Sequence, residues 1–317
     1  WDGQHYLYVS EAGYAPGLEA DIQFPLYPAL IHVATPLFGG NGVVAALVVS
    51  NLASLIALVL LFELVAERFD TWTARRTVLL MLAFPTAFFY SLVYSEAIFL
   101  LLAVLFFRFL LRGQLGRAAI PAALLPLARS PGILIMLPFA VAYLQQQRPL
   151  VSRRVLWLLA PLAGLALYFG IMYATTGDPL EMIRAAETNQ SGFSAGALLH
   201  PLNVLQQLAG QPLAVHGYRD SLFDRAFFVA FLALVVPLLR RVGLPLAAYT
   251  LAMGLISVLG GSFESYMRYL LLAFPMFIVA AQLLQGKRAW AWLPLLYLFT
   301  LLQGLFLVMQ ATFYWVA

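Results

Sequence analysis

Long apolar stretches separated by short charged segments run through almost the whole chain. A membrane-spanning helix needs about 20 largely apolar residues, and ten stretches approach or reach that length. Seven are uncharged and three are shorter or interrupted. The uncharged stretches are 42–62, 77–95, 130–147, 155–177, 242–263, 269–286 and 289–317, and the weaker ones are 97–111, 118–128 and 226–239. The pattern predicts an all-α, polytopic membrane protein with about ten membrane helices.

The composition agrees with that prediction. Of the 317 residues, 63% are hydrophobic and 10% are charged, whereas about a quarter of the residues in an average soluble domain are charged. A soluble globule of this size could not bury so much apolar surface, which excludes an ordinary soluble enzyme. Cysteine is absent, so the chain has neither disulfides nor thiolate chemistry.

The placement of the charges matters more than the net charge of +4. With the first segment placed outside, the inner loops hold 13 of the 18 cations and 3 of the 14 acids. An excess of Lys and Arg in cytoplasmic loops is typical of membrane proteins. The basic balance therefore indicates topology, and we expect no nucleic-acid partner.

The same sidedness constrains the first segment. Residues 22–40 cannot cross the membrane without reversing every later loop, and they contain Pro25, Pro28 and Pro36. They are predicted to form an interfacial or re-entrant helix on the outer side. We expect one integral domain with an outer catalytic loop over 1–41, transmembrane helices over 42–175, a second outer loop over 176–225 and transmembrane helices over 226–317. Because the chain starts at Trp1, we expect sequence to be missing before it.

Three polar side chains open the first outer segment, namely Asp2, His5 and Tyr6. A carboxylate beside the membrane can act as a general base, and a histidine can orient a substrate or bind a metal. The alternative is a solvated loop with interfacial aromatics. Tyr94 and Glu96 lie between two apolar stretches, where a carboxylate often faces a cavity. The alternative there is a helix start capped by Ser95.

Two arginines, Arg129 and Arg268, fall on the predicted outer side against the charge rule. A guanidinium matches the geometry of a phosphate, so both are candidate phosphate ligands. Snorkelling to outer headgroups is the alternative for Arg129, and an ion pair with Glu264 is the alternative for Arg268. Asp178 before Pro179 is predicted to form a turn and a helix cap.

These fragments together resemble the phosphatidylinositol-glycan class V family, whose eukaryotic members are mannosyltransferases. The similar segments occur in the same order over about residues 1–275. They are Trp1-Asp2 with His5, Ala12-Gly13-Tyr14, Phe24-Pro25-Leu26-Tyr27-Pro28, Asn51, Pro85 with Tyr94-Ser95-Glu96, Ala128-Arg129-Ser130 with Gly132, Gly177-Asp178-Pro179-Leu180, and Ser265 with Arg268-Tyr269 and Phe274-Pro275.

The resemblance implies a GT-C glycosyltransferase architecture and a polyprenyl-phosphate sugar donor, with a lipid or glycan as the acceptor and membrane lipids around it. By analogy Asp2 would be the catalytic base. His5, Tyr6, Tyr94 and Glu96 would bind substrate, and Arg129 and Arg268 would hold the donor phosphate. No cofactor or metal is expected, although carboxylates such as Asp2, Glu96 and Asp178 leave a bound cation open. The expected location is a bacterial plasma membrane with the site facing outwards, or the endoplasmic reticulum lumen in a eukaryote.

Two other functions fit part of the pattern. A secondary transporter or flippase for a lipid phosphate would also use outer arginines, but matched halves and midplane charges typical of transporters are missing. A non-catalytic scaffold for another transferase is the third possibility. The chain lacks a Walker loop, an H-E-x-x-H zinc motif and a G-x-S-x-G elbow.

Overall fold

The computed structural model describes residues 2–146, 152–188, 197, 200, 202–210, 221–261, 263–314 and 316. Over these residues the chain forms α-helices joined by turns and short 3₁₀ segments. The helices are α1 Asp2–Ala12, α2 Leu26–Ala34, α3 Gly42–Arg68, α4 Thr71–Ala83, α5 Glu96–Leu110, α6 Leu115–Ala128, α7 Met136–Gln146, α8 Ala160–Thr176, α9 Glu181–Thr188, α10 Asn203–Ala209, α11 Leu222–Arg241, α12 Leu244–Leu259, α13 Tyr266–Leu270, α14 Pro275–Leu283 and α15 Trp292–Ala311.

The chain divides into two compact units. The first consists of Trp1–Leu60 and Phe89–Ser191, and the second consists of Leu61–Phe88 and Gly192–Ala317. The first predicted outer segment, 1–41, and most of the candidate site residues belong to the first unit, whereas the second predicted outer segment, 176–225, is divided between the two units. Arg268 belongs to the second unit.

Within the described ranges, four helical segments are long and apolar enough to cross a bilayer, judged by length and composition. They are Gly42–Arg68, Arg153–Thr176, Leu222–Arg241 and Gly286–Ala311. Other predicted spans are shorter or broken. The stretch 77–95 is not one helix, because α4 ends at Ala83 just before Phe84 and Pro85, and a residue before proline is disfavoured in helical geometry. The count of ten crossings stays a prediction.

The first segment contains more helix than its polar composition indicates. The helix predicted within 22–40 is confirmed as α2, which a 3₁₀ turn over Thr35–Phe38 extends. Residues 2–12, predicted as part of a loop, instead form α1. This difference matters for function, because a helix fixes the spacing of the polar side chains that it carries.

Close helix packing builds the core of the first unit. Helix α6 packs against α5 and α8. A Cβ atom added at Gly164 of α8 would lie 1.9 Å from the carbonyl oxygen of Ala123, so only glycine permits this approach. Phe24, Leu127, Tyr168 and Met172 form a buried cluster beside it.

Aromatic rings fill the core of the second unit. The ring of Phe84 makes edge-to-face contacts with Phe227, Phe277 and Phe299, with centroid separations of 5.2, 5.2 and 5.4 Å. Such contacts join the end of α4 to α11, α14 and α15. They add about 0.5–1.5 kcal/mol each to the burial of the rings.

Candidate active site

Helix α1 places Asp2, His5 and Tyr6 three and four residues apart, so that they share one side of the helix. Its start lies close to the turn before α5, since a Cβ added at Gly3 would lie 3.3 Å from the Val93 carbonyl oxygen. The Nδ1 atom of His5 is buried and has no hydrogen-bond partner within the described residues. The helix therefore presents a carboxylate and an imidazole together.

Tyrosines hold this helix in place. The Tyr6 ring is 4% exposed and packs edge-on against Tyr27 and Tyr94, with centroid separations of 5.1 and 6.4 Å. The Tyr27 hydroxyl forms a 2.6 Å hydrogen bond with Ser50 of α3. Tyr6 and Tyr94, both predicted as substrate ligands, are thus part of a buried aromatic frame.

A chain of polar contacts continues from Tyr6 to Arg129. The Tyr6 hydroxyl lies 2.8 Å from Ser95 Oγ, and Arg129 Nη1 donates to the same oxygen at 3.3 Å. Ser95 occupies the cap position of α5, but its side chain makes no cap hydrogen bond. The capping role considered from the sequence is therefore replaced by contacts to Tyr6 and Arg129.

Arg129 and Glu96 form a buried ion pair. Arg129 Nη1 lies 2.5 Å from Glu96 Oε1, and the two side chains are 10% and 0% exposed. Two residues predicted for separate tasks, phosphate binding and sugar binding, are in direct contact. A buried guanidinium that lost this carboxylate would be an uncompensated charge.

The chain geometry around Arg129 explains how it reaches Glu96. Helix α6 ends at Ala128, and Arg129 is extended, with φ −161° and ψ 155°. A 3₁₀ turn over Ser130–Ile135 follows directly. A Cβ added at Gly132 would lie 2.2 Å from the backbone of Leu125, so a larger residue there would push the turn away from α6. Gly132 thus allows the tight reversal that aims Arg129 back into the first unit.

The first unit also contains a buried acid that was not singled out from the sequence. Asp21 is 0% exposed, and neither carboxylate oxygen makes a hydrogen bond with normal geometry. Burial raises the pKa of Asp21, and Glu181 adds to the increase, whereas the nearby backbone of Ala15 and Leu18 partly opposes it. The apolar neighbours Ala20 and Ile22 were the only local signal of this burial.

Helix α9 packs against the turn over Glu19–Ile22 in the first segment. The buried Glu181 carboxylate accepts a 2.7 Å hydrogen bond from the Gly17 N–H. Residues 16–19 and the side chains of Glu181 and Arg184 line a cavity of about 320 Å³. The turn predicted at Asp178 is confirmed, because its Oδ1 accepts a 2.9 Å hydrogen bond from Leu180 N–H and its Oδ2 lies 2.8 Å from Arg184.

Arg268 lies on α13 in the second unit and is 6% exposed. Its neighbour Met267 donates its N–H to Asp224 Oδ1 at 3.0 Å. Asp224, which was also not singled out from the sequence, lies in the first turn of α11, and Ser221 is the cap residue of that helix. The Ser221 Oγ accepts from the Asp224 N–H at 3.0 Å and donates to the Asp224 carboxylate.

The candidate metal ligands do not gather in one place. In the described ranges, no group of three or more His, Asp or Glu side chains is arranged to hold a metal ion. The charged groups next to Ser95 are the guanidinium of Arg129 and the carboxylate of Glu96.

A family model described as Mannosyltransferase (PIG-V) matches residues 1–151. Over these residues the chain is similar to the PIG-V mannosyltransferase family. The match includes α1, the turn before α5 and the Arg129 turn, and it ends before α8, α9 and Arg268. No curated protein and no solved structure matches the chain. The family supports a glycosyltransferase, and the four long apolar helices support a membrane protein.

Proposed function

We propose that the protein is an inverting glycosyltransferase that moves a sugar, with mannose as the proposed sugar, from a polyprenyl-phosphate donor to an acceptor hydroxyl at the outer membrane face. The observation that carries the proposal is the placement of Asp2 and His5 on the helix whose Tyr6 contacts Ser95. Ser95 in turn contacts Arg129. A carboxylate and a guanidinium are thus linked through Tyr6 and Ser95 within the matched region.

In the proposed reaction, the Asp2 carboxylate takes the proton of the acceptor hydroxyl as its oxygen attacks the anomeric carbon. The bond from that carbon to the phosphate oxygen breaks, and the electron pair leaves with the polyprenyl phosphate. A single displacement inverts the anomeric centre, so a β-linked donor gives an α-linked product. His5, whose Nδ1 has no partner within the described residues, is proposed to orient the acceptor or Asp2.

Arg129 is proposed to stabilise the charge that develops on the leaving phosphate. Because Glu96 is fully buried and lies against Arg129, we propose that it acts by positioning the guanidinium. Tyr6 and Tyr94 are proposed to shape the substrate pocket through their ring contacts. The contact of Arg268 with the donor phosphate, the ten crossings and the outward orientation are proposals that rest on the sequence alone.

The decisive test is the substitution Asp2→Asn in protein reconstituted with polyprenyl-phosphate mannose and a lipid extract as the source of acceptor. Removing a general base lowers the rate by about 10²–10⁴-fold. Glu11→Gln is the matched control, because Glu11 is an exposed acid on the same helix. We expect transfer of labelled mannose to be lost only in Asp2→Asn, with unchanged thermal unfolding. Equal transfer by both variants would contradict the assignment of Asp2.

A further inference from the structure

The second unit has a concentration of cations that the proposed reaction does not use. On α4, the Arg76 guanidinium is stacked between two indole rings, 3.4 Å from the Trp72 centroid and 4.4 Å from the Trp292 centroid. Its Nη1 donates a 2.6 Å hydrogen bond to the carbonyl oxygen of Leu284. These contacts bring α4 and the segment before α15 together at one place.

Exposed cations surround this stack. Arg75 is the neighbour of Arg76 on α4, and Lys287 and Arg288 follow shortly after Leu284. Arg241 lines a cavity together with Asp70 and Thr73 from the start of α4. We call Arg68, Arg75, Arg241, Lys287 and Arg288 the basic patch. In the part of the chain that the structure describes, none of the five forms an ion pair.

The cavity beside Arg241 is lined by polar side chains, several of which are hydrogen-bonded to one another. Gln285 Nε2 donates to Thr73 Oγ1 at 3.0 Å, and the carboxylate of Asp70 is occupied by the N–H and hydroxyl of Thr73 at 2.7 and 2.6 Å. Gln282 also lines the cavity, and its buried Oε1 has no hydrogen-bond partner among the described residues. The cavity is therefore lined both by a cation, Arg241, and by an acceptor atom that has no partner among the described residues.

Two tryptophans of this region are open to the surroundings. Trp72 is 42% exposed and Trp290 is 77% exposed. Indole rings favour the headgroup layer of a bilayer, and the basic patch lies at the ends of apolar helices α11 and α15. Cations beside exposed indoles match a negatively charged membrane surface, which attracts Lys and Arg with roughly a fivefold gain in affinity for each.

We propose that the basic patch and the Arg241 cavity bind the headgroup of an anionic phospholipid. The phosphate would lie against Arg241 and the neighbouring cations. A headgroup hydroxyl would donate to Gln282 Oε1, so phosphatidylglycerol fits the cavity better than phosphatidic acid, which has no such hydroxyl. This lipid site is independent of the proposed sugar transfer.

The test uses the purified full chain in mixed micelles and measures quenching of tryptophan fluorescence by brominated lipids. Wild-type protein is expected to be quenched by brominated phosphatidylglycerol at a mole fraction at least tenfold lower than by brominated phosphatidylcholine. The double substitution Arg241→Gln with Lys287→Gln should reduce that preference at least tenfold. The charge-preserving pair Arg241→Lys with Lys287→Arg should retain most of it.

The control removes the same charge elsewhere. Arg117 and Arg153 are exposed cations of the first unit on the same predicted side, and Arg117→Gln with Arg153→Gln should change the preference less than twofold. An equal loss in both glutamine pairs would overturn the proposal in favour of general surface charge. So would the absence of a preference in the wild type. Gln282→Leu should reduce the difference between phosphatidylglycerol and phosphatidic acid.

Discussion

Two arginines of this protein are shielded from water in different ways. Arg129 of the first unit pairs with a fully buried carboxylate, whereas Arg76 of the second unit lies between two indole rings and bonds to a backbone carbonyl. The first arrangement depends on an opposite charge, whereas the second involves no carboxylate among the residues that the structure describes. Arg129 is therefore held in place by Glu96 and contacts Ser95, which in turn contacts Tyr6 of the helix that carries the candidate base, while Arg76 belongs to the surface that we propose attracts anions.

The largest effect on stability is expected from Glu96→Ala. This substitution leaves the Arg129 guanidinium buried without its carboxylate and should reduce the free energy of unfolding by about 3–5 kcal/mol. The ion pair between Asp178 and Arg184 is the matched comparison, because the Arg184 side chain is 71% exposed. Asp178→Asn should cost about 1 kcal/mol or less through the ion pair. Similar losses in thermal or denaturant unfolding would show that burial does not distinguish the pairs.

A smaller effect is expected from Gly132→Ala. The added methyl group meets the Leu125 backbone, and such overpacking costs about 1–3 kcal/mol. It should also displace Arg129 and reduce sugar transfer. Gly170 of α8 has open space around a Cβ, so Gly170→Ala should be neutral or stabilise the helix by up to about 1 kcal/mol. Full transfer activity in Gly132→Ala would show that the turn at Gly132 is not needed to position Arg129 for the reaction.

Arg76→Gln tests the other half of the comparison. Loss of the guanidinium stack should cost about 1–2 kcal/mol and alter the tryptophan emission of the folded protein. Arg76→Lys retains the charge but loses the planar group, so it should recover only part of the stability. Complete recovery by lysine would mean that charge, and not stacking, holds this region together.

The smallest effect concerns Asp21, whose pKa is raised in the folded protein. A folded state that binds this proton more tightly than the unfolded state loses stability as the pH rises from the ordinary aspartate range, about 4, through the raised pKa. Asp21→Asn should remove that loss, so the variant should unfold at a higher temperature than wild type at neutral pH and at a similar temperature below pH 4. A constant difference across this range would contradict the buried, ionising carboxylate.

The local sequence pattern was sufficient to predict part of the fold. The apolar stretches predicted helices, the proline-rich segment predicted α2, and Asp178 before Pro179 predicted a turn. Proline positions also explain why 77–95 is not one helix. Helix α1 was missed because its sequence, Asp2 to Ala12, has no strong apolar face.

The contacts within the site could not be derived from the sequence. Tyr6 meets Ser95 across 89 positions, and Arg129 meets Glu96 across 33. Each motif identified a polar or charged side chain. Only the packing of α1, α5 and α6 determines which of these side chains are in contact. Asp21 illustrates the same limit, because an acid in a polar segment gives no sign that tertiary packing will bury it.

A single displacement with Asp2 as the base fixes the anomeric configuration of the product, which can be measured. Purified protein would be supplied with β-linked polyprenyl-phosphate mannose, and the product linkage would be read by NMR and by digestion with an α-specific mannosidase. We expect wild-type protein to form an α-linked mannoside, which the mannosidase removes, and we expect Asp2→Asn not to form it. A β-linked product, or α-linked product formed equally by Asp2→Asn, would contradict it.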